Sequence, residues 1–178
     1  MKAYLFLDED GFCTGWGSNE EENSVPIEAE EEVLNGIRKY RYENGELIYD
    51  ETKALIDAKE SRRYKLKKSM SEKLSEGFII DLEDDKFIYP YNNDNKAYLN
   101  KVYELSTSGL IDSATFDFLD KDGNEVTMEV SKINITELWL LSFLYEENIK
   151  KLQAKELEKI EKAKSLKEIQ EISLDKNE

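Results

Sequence analysis

Histidine is absent from this chain of 178 residues, and cysteine occurs only once, at Cys13. Histidine is the usual general base near neutral pH and the commonest metal-ligating side chain. Zinc sites and Ser-His or Cys-His nucleophile systems therefore cannot be built, and a single cysteine excludes an internal disulfide framework. We predict a protein that is not an enzyme, with no catalytic residues, no metal site and no cofactor. Chemistry based on paired carboxylates or Mg²⁺ stays open.

Long apolar runs are missing as well. No run approaches the roughly 20 apolar residues that a membrane-spanning helix needs. Residues 1–10 turn acidic too early for a signal peptide. A lone thiol is typical of a reducing compartment. We therefore predict no membrane association and a cytoplasmic location.

Basic side chains are scarce, and the formal net charge is −15. Residues 1–50 hold 13 acidic against 4 basic side chains, whereas residues 51–76 hold 5 against 8. Electrostatic repulsion opposes binding to nucleic acid, so we predict no nucleic-acid partner. The acidic clusters Glu20–Glu22 and Glu28–Glu32 leave one alternative open, an acidic inhibitor that mimics the phosphate backbone of DNA. A solvated loop is the simpler interpretation.

What the chain does contain is a repeated turn motif between short apolar runs. The turns stand at Asp10-Gly11, Asn44-Gly45 and Asp122-Gly123, with a glycine-free candidate at Asp84-Asp85. Asn-Gly and Asp-Gly favour β-hairpins because both central positions of a type I′ turn need positive φ. The predicted strand pairs are residues 2–7 with 12–16, 37–42 with 46–49, 78–82 with 86–89, and 114–119 with 125–130.

One long helix is predicted over residues 51–76, which contain no Gly or Pro. Asp50 is placed to cap its N-terminus, and Gly77 follows its C-terminus. A stripe too narrow for a core helix indicates a connector or a coiled-coil seam. The apolar residues of that stripe are Leu55, Ala58, Leu66, Met70 and Leu74.

Three further helices are predicted in the second half of the chain. The first lies near residues 94–108, and a capping box of Asn134 and Glu137 starts the longest one. A second box, Ser165 with Glu168, precedes a short helix, after which residues 175–178 should fray. The side chains expected to face the core from the first two helices are Ala97, Tyr98, Val102, Leu105, Leu138, Trp139, Phe143 and Leu144.

These elements predict an α+β fold: an N-terminal β-hairpin module, a long connecting helix, and C-terminal hairpins packed with helices. The predicted division is an acidic hairpin module at 1–50, the connecting helix at 51–76 and an α+β domain at 77–178. The boundary follows from the change of pattern at Asp50.

Partner contact is predicted at the N-terminal hairpin and along the stripe of helix 51–76. The strand from Ala3 to Leu7 is apolar on both faces, so in a small module we expect an open edge for β-addition by another chain. The stripe would serve a helical partner or a second copy, which would give a homo-oligomer. The alternative is that both surfaces pack on each other within one monomer. The predicted contact residues are Tyr4, Phe6, Phe12, Trp16, Leu55, Leu66, Met70 and Leu74.

Several stretches resemble proteins encoded beside the tail-fibre and baseplate genes of tailed bacteriophages. "KAYLFLDEDGFCTGWGS", "VPIEAEEEVL" and "YRYENGELIYD" resemble N-terminal segments of tail-associated proteins from phages of Gram-positive bacteria. "GFIIDLEDDKFIY", "FDFLDKDGNEVTMEV", "ITELWLL" and "KIEKAKSLKEIQEI" resemble a C-terminal domain of unknown biochemical function in phage tail proteins. Residues 19–27, which are unusually acidic, and helix 51–76 depart from that pattern.

The resemblance implies a non-catalytic phage tail accessory protein. The leading expectation is an assembly chaperone for a tail-fibre or receptor-binding protein, located in the host cytoplasm during phage assembly. The first alternative is a minor structural protein of the baseplate or tail tip, located in the virion tail. The second, from a different class, is the acidic DNA mimic described above.

Overall fold

A computed structural model of the chain describes residues 1–83 and 85–172. The fold class is α+β, as predicted, with half of the residues in helices and 28% in strands. The chain forms two compact units. Of the described residues, unit 1 comprises 1–64 and 158–172, and unit 2 comprises the range 65–157. The predicted division at residues 50 and 76 stays a prediction, because compactness alone does not show which segments fold independently.

Unit 1 begins with a three-stranded antiparallel sheet of β1 (Lys2–Leu7), β2 (Cys13–Gly17) and β3 (Val25–Glu28). The order β2-β1-β3 makes β1 the central strand. The open edge expected at Ala3–Leu7 is therefore wrong, because the third strand that pairs with β1 comes from the acidic segment around Pro26. Both edges of this strand pair with strands of the same chain.

The rest of the N-terminal region contains α1 (Glu31–Asn35), a 3₁₀ turn (Ile37–Lys39), β4 (Tyr40–Glu43) and β5 (Glu46–Tyr49). The β4–β5 hairpin is confirmed, and Asn44 and Gly45 both have positive φ, at 52° and 90°. The predicted strand at 37–42 is wrong in its first half, which forms the 3₁₀ turn. The core of this region is small and mostly aliphatic, and it contains Ala3, Leu5, Cys13, Leu34 and Ile37.

Helix α2 spans Glu51–Glu76, the bounds that its capping residues predicted. The Asp50 carboxylate accepts a hydrogen bond from the Lys53 backbone N–H at 2.7 Å. Gly77 ends the helix with φ of 88°, and a Cβ at that position would lie 2.0 Å from the Tyr89 carbonyl oxygen. Glycine is therefore required at 77 for two reasons, its backbone angle and its lack of a side chain.

Unit 2 contains a four-stranded antiparallel sheet of β6 (Phe78–Leu82), β7 (Asp85–Tyr89), β8 (Ser113–Leu119) and β9 (Glu125–Ser131), in that order. The two hairpins predicted for this part of the chain, at 78–89 and 114–130, are confirmed. Of the fourth predicted turn, Asp84 lies outside the described residues, and its neighbour Glu83 has a φ of 52°. One register pair, Ile88 with Leu119, joins the two hairpins.

The described part of the chain contains three further helices, α3 (Asn93–Thr107), α4 (Lys132–Lys162) and α5 (Leu166–Glu171). α4 starts directly after β9, so Asn134 lies inside the helix and the predicted capping box there is wrong. The box before α5 is confirmed, since the Glu168 N–H donates to the Ser165 hydroxyl at 3.2 Å. The predicted fraying of residues 175–178 concerns positions outside the described residues.

The core of unit 2 lies between one face of its sheet and helices α3 and α4, and it is rich in aromatic side chains. Leu99, Val102 and Ser106 are the buried residues of α3. Ala97, which was expected to face inward, is exposed. Tyr98 lies at the rim of the core: its side chain is 44% exposed, but its ring contacts Phe116 at 5.3 Å and its hydroxyl donates to the Thr115 carbonyl oxygen. The buried residues of this core include Phe78, Ile80, Tyr89, Tyr91, Phe116, Phe118, Ile135 and Leu138.

Candidate functional site

Tyr4 and Phe6 lie on the outer face of the unit 1 sheet, opposite the buried Ala3 and Leu5. Tyr4 is in register with Gly17 on one side and Pro26 on the other, and Phe6 is opposite Gly15. A Cβ at Gly17 would lie 3.3 Å from the Phe6 ring, so the ring covers the glycine backbone. Both aromatic side chains are half-buried by their own sheet, which limits the apolar surface that they offer to a partner.

Phe12 and Trp16 do not join that face. Trp16 is in register with Leu5 and packs against the buried core of unit 1. Phe12 borders an open groove of about 300 Å³. The Lys53 ammonium lies 4.1 Å from the centroid of the Phe12 ring, a cation–π contact. The structure therefore divides the four predicted residues of the hairpin among an outer face, a core and a groove.

The groove beside Phe12 is also lined by Cys13, Arg38 and Asp57. Burial raises the pKa of the Cys13 thiol to about 11. The thiol is therefore protonated at neutral pH, and a protonated thiol is a poor nucleophile. Arg38 donates from Nε to the Thr14 carbonyl oxygen at 3.1 Å, which covers part of the outer edge of β2.

The stripe on α2 is part of the packed structure. Leu66 is fully buried, Met70 is 6% exposed, and Leu74 packs against the core of unit 2. Leu55 is half-buried. The expectation that this stripe is too narrow for a core is wrong, since the chain itself buries Leu66 and Met70. A homo-oligomer stays a prediction, but these two side chains are not accessible to a second copy.

An exposed apolar surface does occur on α4, at positions that sequence reasoning assigned to the core or left unassigned. We define the α4 face as Ile133, Leu140, Phe143 and Leu144, which are exposed by 80%, 50%, 52% and 48%. Their spacings of seven, three and four residues place them on one side of the helix. The predicted core positions of Phe143 and Leu144 are therefore wrong.

The opposite side of α4 packs against the rest of unit 2 and fixes the position of the helix. Ile135 and Leu138 are fully buried in the core of unit 2. The Trp139 ring stacks on Tyr103 at 4.3 Å between centroids, and its indole N–H donates to the Asn100 side-chain oxygen at 3.1 Å. Phe143 in turn stacks against Trp139 at 6.3 Å. The exposed side chains therefore sit on a helix whose position is fixed by packing on its other side.

A signal for the α4 face is present in the sequence. Residues 138–145 read LWLLSFLY, so apolar side chains occur all round two turns of the helix. A helix that is apolar on every side must be buried on every side or present an apolar surface. In a unit with one sheet and a single layer of helices, only one side of each helix can face the core.

The charged residues along this part of α4 are of both signs. Glu146 is paired with Lys96 and with Lys150, the latter at 3.1 Å, and Tyr91 donates its hydroxyl to the same carboxylate at 3.2 Å. The hydrogen bond from Lys96 is the main cause that lowers the pKa of Glu146 below its usual range. Glu147 is paired with Lys150 at 3.1 Å.

Two other properties bear on function. In residues 1–83 and 85–172, no three Cys, Asp or Glu side chains are grouped so that they could hold a metal ion. No helix in the described part of the chain is both long and apolar enough to cross a membrane. Comparisons with protein-family models, with curated proteins and with solved structures each found no match.

Proposed function

We propose that this chain is a non-catalytic phage tail accessory protein that acts as an assembly chaperone for a tail-fibre or receptor-binding protein. The observation that carries the proposal is the α4 face. Large apolar side chains exposed together on one side of a helix, here by 48–80%, are typical of protein-interaction sites. The sequence resemblance to phage tail-associated proteins supplies the biological setting.

An assembly chaperone needs a surface that can cover an apolar segment of its client until the client is assembled. The α4 face suits this role because the helix that carries it is already fixed by packing on its other side, so binding requires little ordering of the chaperone backbone. The pKa of Glu146 is lowered, which makes its carboxylate a weaker base, and the pKa of Cys13 is raised, which keeps its thiol protonated. These shifts favour neither a general base at Glu146 nor a nucleophile at Cys13.

The test is co-expression with the tail-fibre or receptor-binding protein encoded nearest to this chain's gene. We expect the soluble fraction of the client to rise and the two chains to co-purify. A double variant, Leu140→Gln with Leu144→Gln, should lose both effects, because Gln keeps the helix and removes the apolar surface. Ile79→Thr is the matched control, since Ile79 is a 61% exposed apolar residue on a strand of the same unit.

Purified virions provide the second readout. A chaperone should be absent or scarce in them, whereas a structural baseplate protein would be present at a fixed copy number. A client that is equally soluble with and without this chain, and that forms no complex with it, would exclude the chaperone function.

A further inference from the structure

We propose that a cavity between α3 and β8 binds a cationic group, a guanidinium or an ammonium on an aliphatic stem such as the side chain of arginine or lysine. We call it the α3–β8 cavity. It has a volume of about 330 Å³, and the residues that line it include Tyr89, Asp94, Asn95, Tyr98, Thr115 and Asp117. None of them belongs to the α4 face, so the inference goes beyond the proposed function and does not depend on it.

The α3–β8 cavity lies where the pairing between β7 and β8 stops. β8 pairs with β9 along all seven of its residues, but its register with β7 consists of one pair, Leu119 with Ile88. Pro90 follows β7 directly and has no N–H with which to continue the ladder. α3 borders the gap, because the Tyr98 hydroxyl donates to the Thr115 carbonyl oxygen at 2.9 Å.

Hydrogen bonds hold the walls of the cavity in place. The buried Tyr89 donates its hydroxyl to the Asn95 carbonyl oxygen at 2.8 Å, and the Asn95 side-chain amide donates to the Pro90 carbonyl oxygen at 2.8 Å. The Thr127 hydroxyl donates to the Asp117 carboxylate at 2.6 Å. Burial is the main cause that raises the pKa of Tyr89, and the charge of Asp117 contributes, so this carboxylate lies near the Tyr89 hydroxyl.

The charged residues in the lining are both acidic. They are Asp94, in the first turn of α3, and Asp117, on β8. Among the described residues, no lysine or arginine lines the cavity. The next acidic residue is Glu129, which is in register with Thr115 on the neighbouring strand.

The bases on the elements around the cavity do not neutralise this pair. Lys96 on α3 forms an ion pair with Glu146. Lys86 on β7 is in register with Asp81, on the side of β7 away from β8. Lys101 lies one turn after the Tyr98 position on α3, is exposed, and is not part of the lining. A cation that enters the cavity therefore meets two carboxylates before it meets a base.

The aromatic wall favours the same class of ligand. Tyr98 is partly exposed, and its ring packs edge-on against Phe116, which leaves ring surface beside the cavity. A cation close to the face of a tyrosine ring is attracted by the ring quadrupole. A guanidinium can also stack on a ring while it donates to a carboxylate. The volume lies at the lower end of the range for small-ligand sites, which suits one side chain.

The test follows backbone amide signals of the full-length, ¹⁵N-labelled chain by NMR. The first probe is N-acetyl-arginine amide, whose guanidinium is its only charge. Its matched control is N-acetyl-citrulline amide, which has nearly the same shape and no charge. A blocked Gly-Ser-Arg-Ser-Gly peptide and agmatine represent the two sources of such a group, a partner's side chain and a free amine.

We expect the arginine probe to shift the amide signals of Asn95, Tyr98 and Thr115, and the citrulline probe to bind at least about fivefold more weakly. Asp117→Asn keeps an acceptor for Thr127 and should weaken the arginine probe by about three- to fivefold. Asp94→Asn should weaken it by a similar factor, and Tyr98→Leu by about two- to threefold.

Glu104→Gln is the control variant, because it removes an exposed acid from the same helix that does not line the cavity. It should change the affinity by less than about 1.5-fold. The amide spectrum of each variant also reports whether it is folded. Tighter binding of the peptide than of agmatine assigns the group to a partner's side chain, and the reverse order assigns it to a free amine; both support the site.

Three outcomes would overturn the inference. Equal binding of the citrulline probe would show that charge is not recognised. A loss for Glu104→Gln as large as that for Asp117→Asn would show diffuse attraction by an acidic chain. Shifts that lie elsewhere, with Asn95, Tyr98 and Thr115 unchanged, would show that the cation binds outside the α3–β8 cavity. Since the α4 face takes no part, each of these results leaves the proposed function standing.

Discussion

Units 1 and 2 are both built on antiparallel sheets, but their aromatic side chains lie in different places. In unit 1, Tyr4 and Phe6 lie on the outer face, where the Phe6 ring covers Gly15 and Gly17 of the neighbouring strand, while the buried core is mostly aliphatic. In unit 2, aromatic rings such as Phe116 and Phe118 fill the core. With its core already filled, unit 2 leaves the apolar side chains of the α4 face in solvent.

This difference separates stability from function. In unit 1, Tyr4 and Phe6 lie on the outer face but are half-buried by their own sheet. An aromatic residue predicted on the outer face of this strand is therefore a poor indicator of a docking surface. In unit 2 the core is complete without the α4 face, because Ile135 and Leu138 already fill the buried side of the helix. Apolar side chains that the fold does not need are the ones that remain for a partner.

The largest effect is expected from Phe118→Ala. Phe118 is fully buried, with the rings of Tyr89 and Phe87 at 5.7 and 6.0 Å between centroids. We expect the free energy of unfolding to fall by about 3–5 kcal/mol, measured by urea titration. Leu5→Ala in the smaller core should cost about 2–4 kcal/mol. A larger cost for Leu5→Ala would contradict the stated difference between the two cores.

The next effect concerns the glycine after α2. Gly77→Ala forces a side chain to positive φ and into contact with the Tyr89 carbonyl, so we expect a loss of at least about 2 kcal/mol. Gly109→Ala is the matched control: its φ is 72°, but no atom lies within 4 Å of the added Cβ. That variant should lose about 1 kcal/mol. If thermal unfolding gives the same loss of stability for both variants, the contact between the added Cβ at position 77 and the Tyr89 carbonyl does not affect stability.

A smaller, pH-dependent effect is expected at Glu146. Its pKa is lowered in the folded state, chiefly by the hydrogen bond from Lys96, so its contribution to stability is present at neutral pH. That contribution is lost as the pH falls through the lowered pKa. Glu146→Gln should therefore cost about 0.5–1 kcal/mol at pH 7, and little once the wild-type carboxylate is protonated. A cost that is the same at pH 7 and in acid would contradict this assignment.

The smallest effect is expected from the docking variant itself. The Leu140→Gln/Leu144→Gln double variant replaces half-exposed side chains by another good helix former, so the free energy of unfolding should change by less than about 1 kcal/mol. Urea titration measures the change, and a loss comparable to that of Phe118→Ala would mean that the α4 face belongs to the core.

Local signals allowed the prediction of those elements that local chemistry determines. The bounds of α2 follow from Asp50 and Gly77, and turns lie at the Asn-Gly and Asp-Gly pairs. The expectation of positive φ at both central positions is confirmed only at Asn44-Gly45; at the two Asp-Gly pairs the glycine alone has positive φ. The remainder depends on tertiary packing. Strand β1 is central because the proline-containing strand β3 pairs with it. No local sequence pattern predicts that β3 pairs with β1. Which side of α3 or α4 is buried depends on where the sheet lies, so the predicted inward positions of Ala97 and Phe143 are wrong.

The same reasoning explains the candidate site. Tyr4, Phe6 and Leu66 were predicted as contact residues from hydrophobicity alone, yet their exposure is set by neighbours distant in sequence. The LWLLSFLY run indicates that α4 carries more apolar side chains than one buried side can hold. It does not indicate which side of the helix faces solvent.

Hydroxyl-radical footprinting of the full chain, alone and in complex with the co-expressed tail-fibre or receptor-binding protein, tests the central claim most directly. The account predicts that modification of Leu140, Phe143 and Leu144 falls several-fold in the complex, while modification of Tyr4 and Phe6 does not change. Protection of Tyr4 and Phe6 with the α4 face still reactive would contradict it.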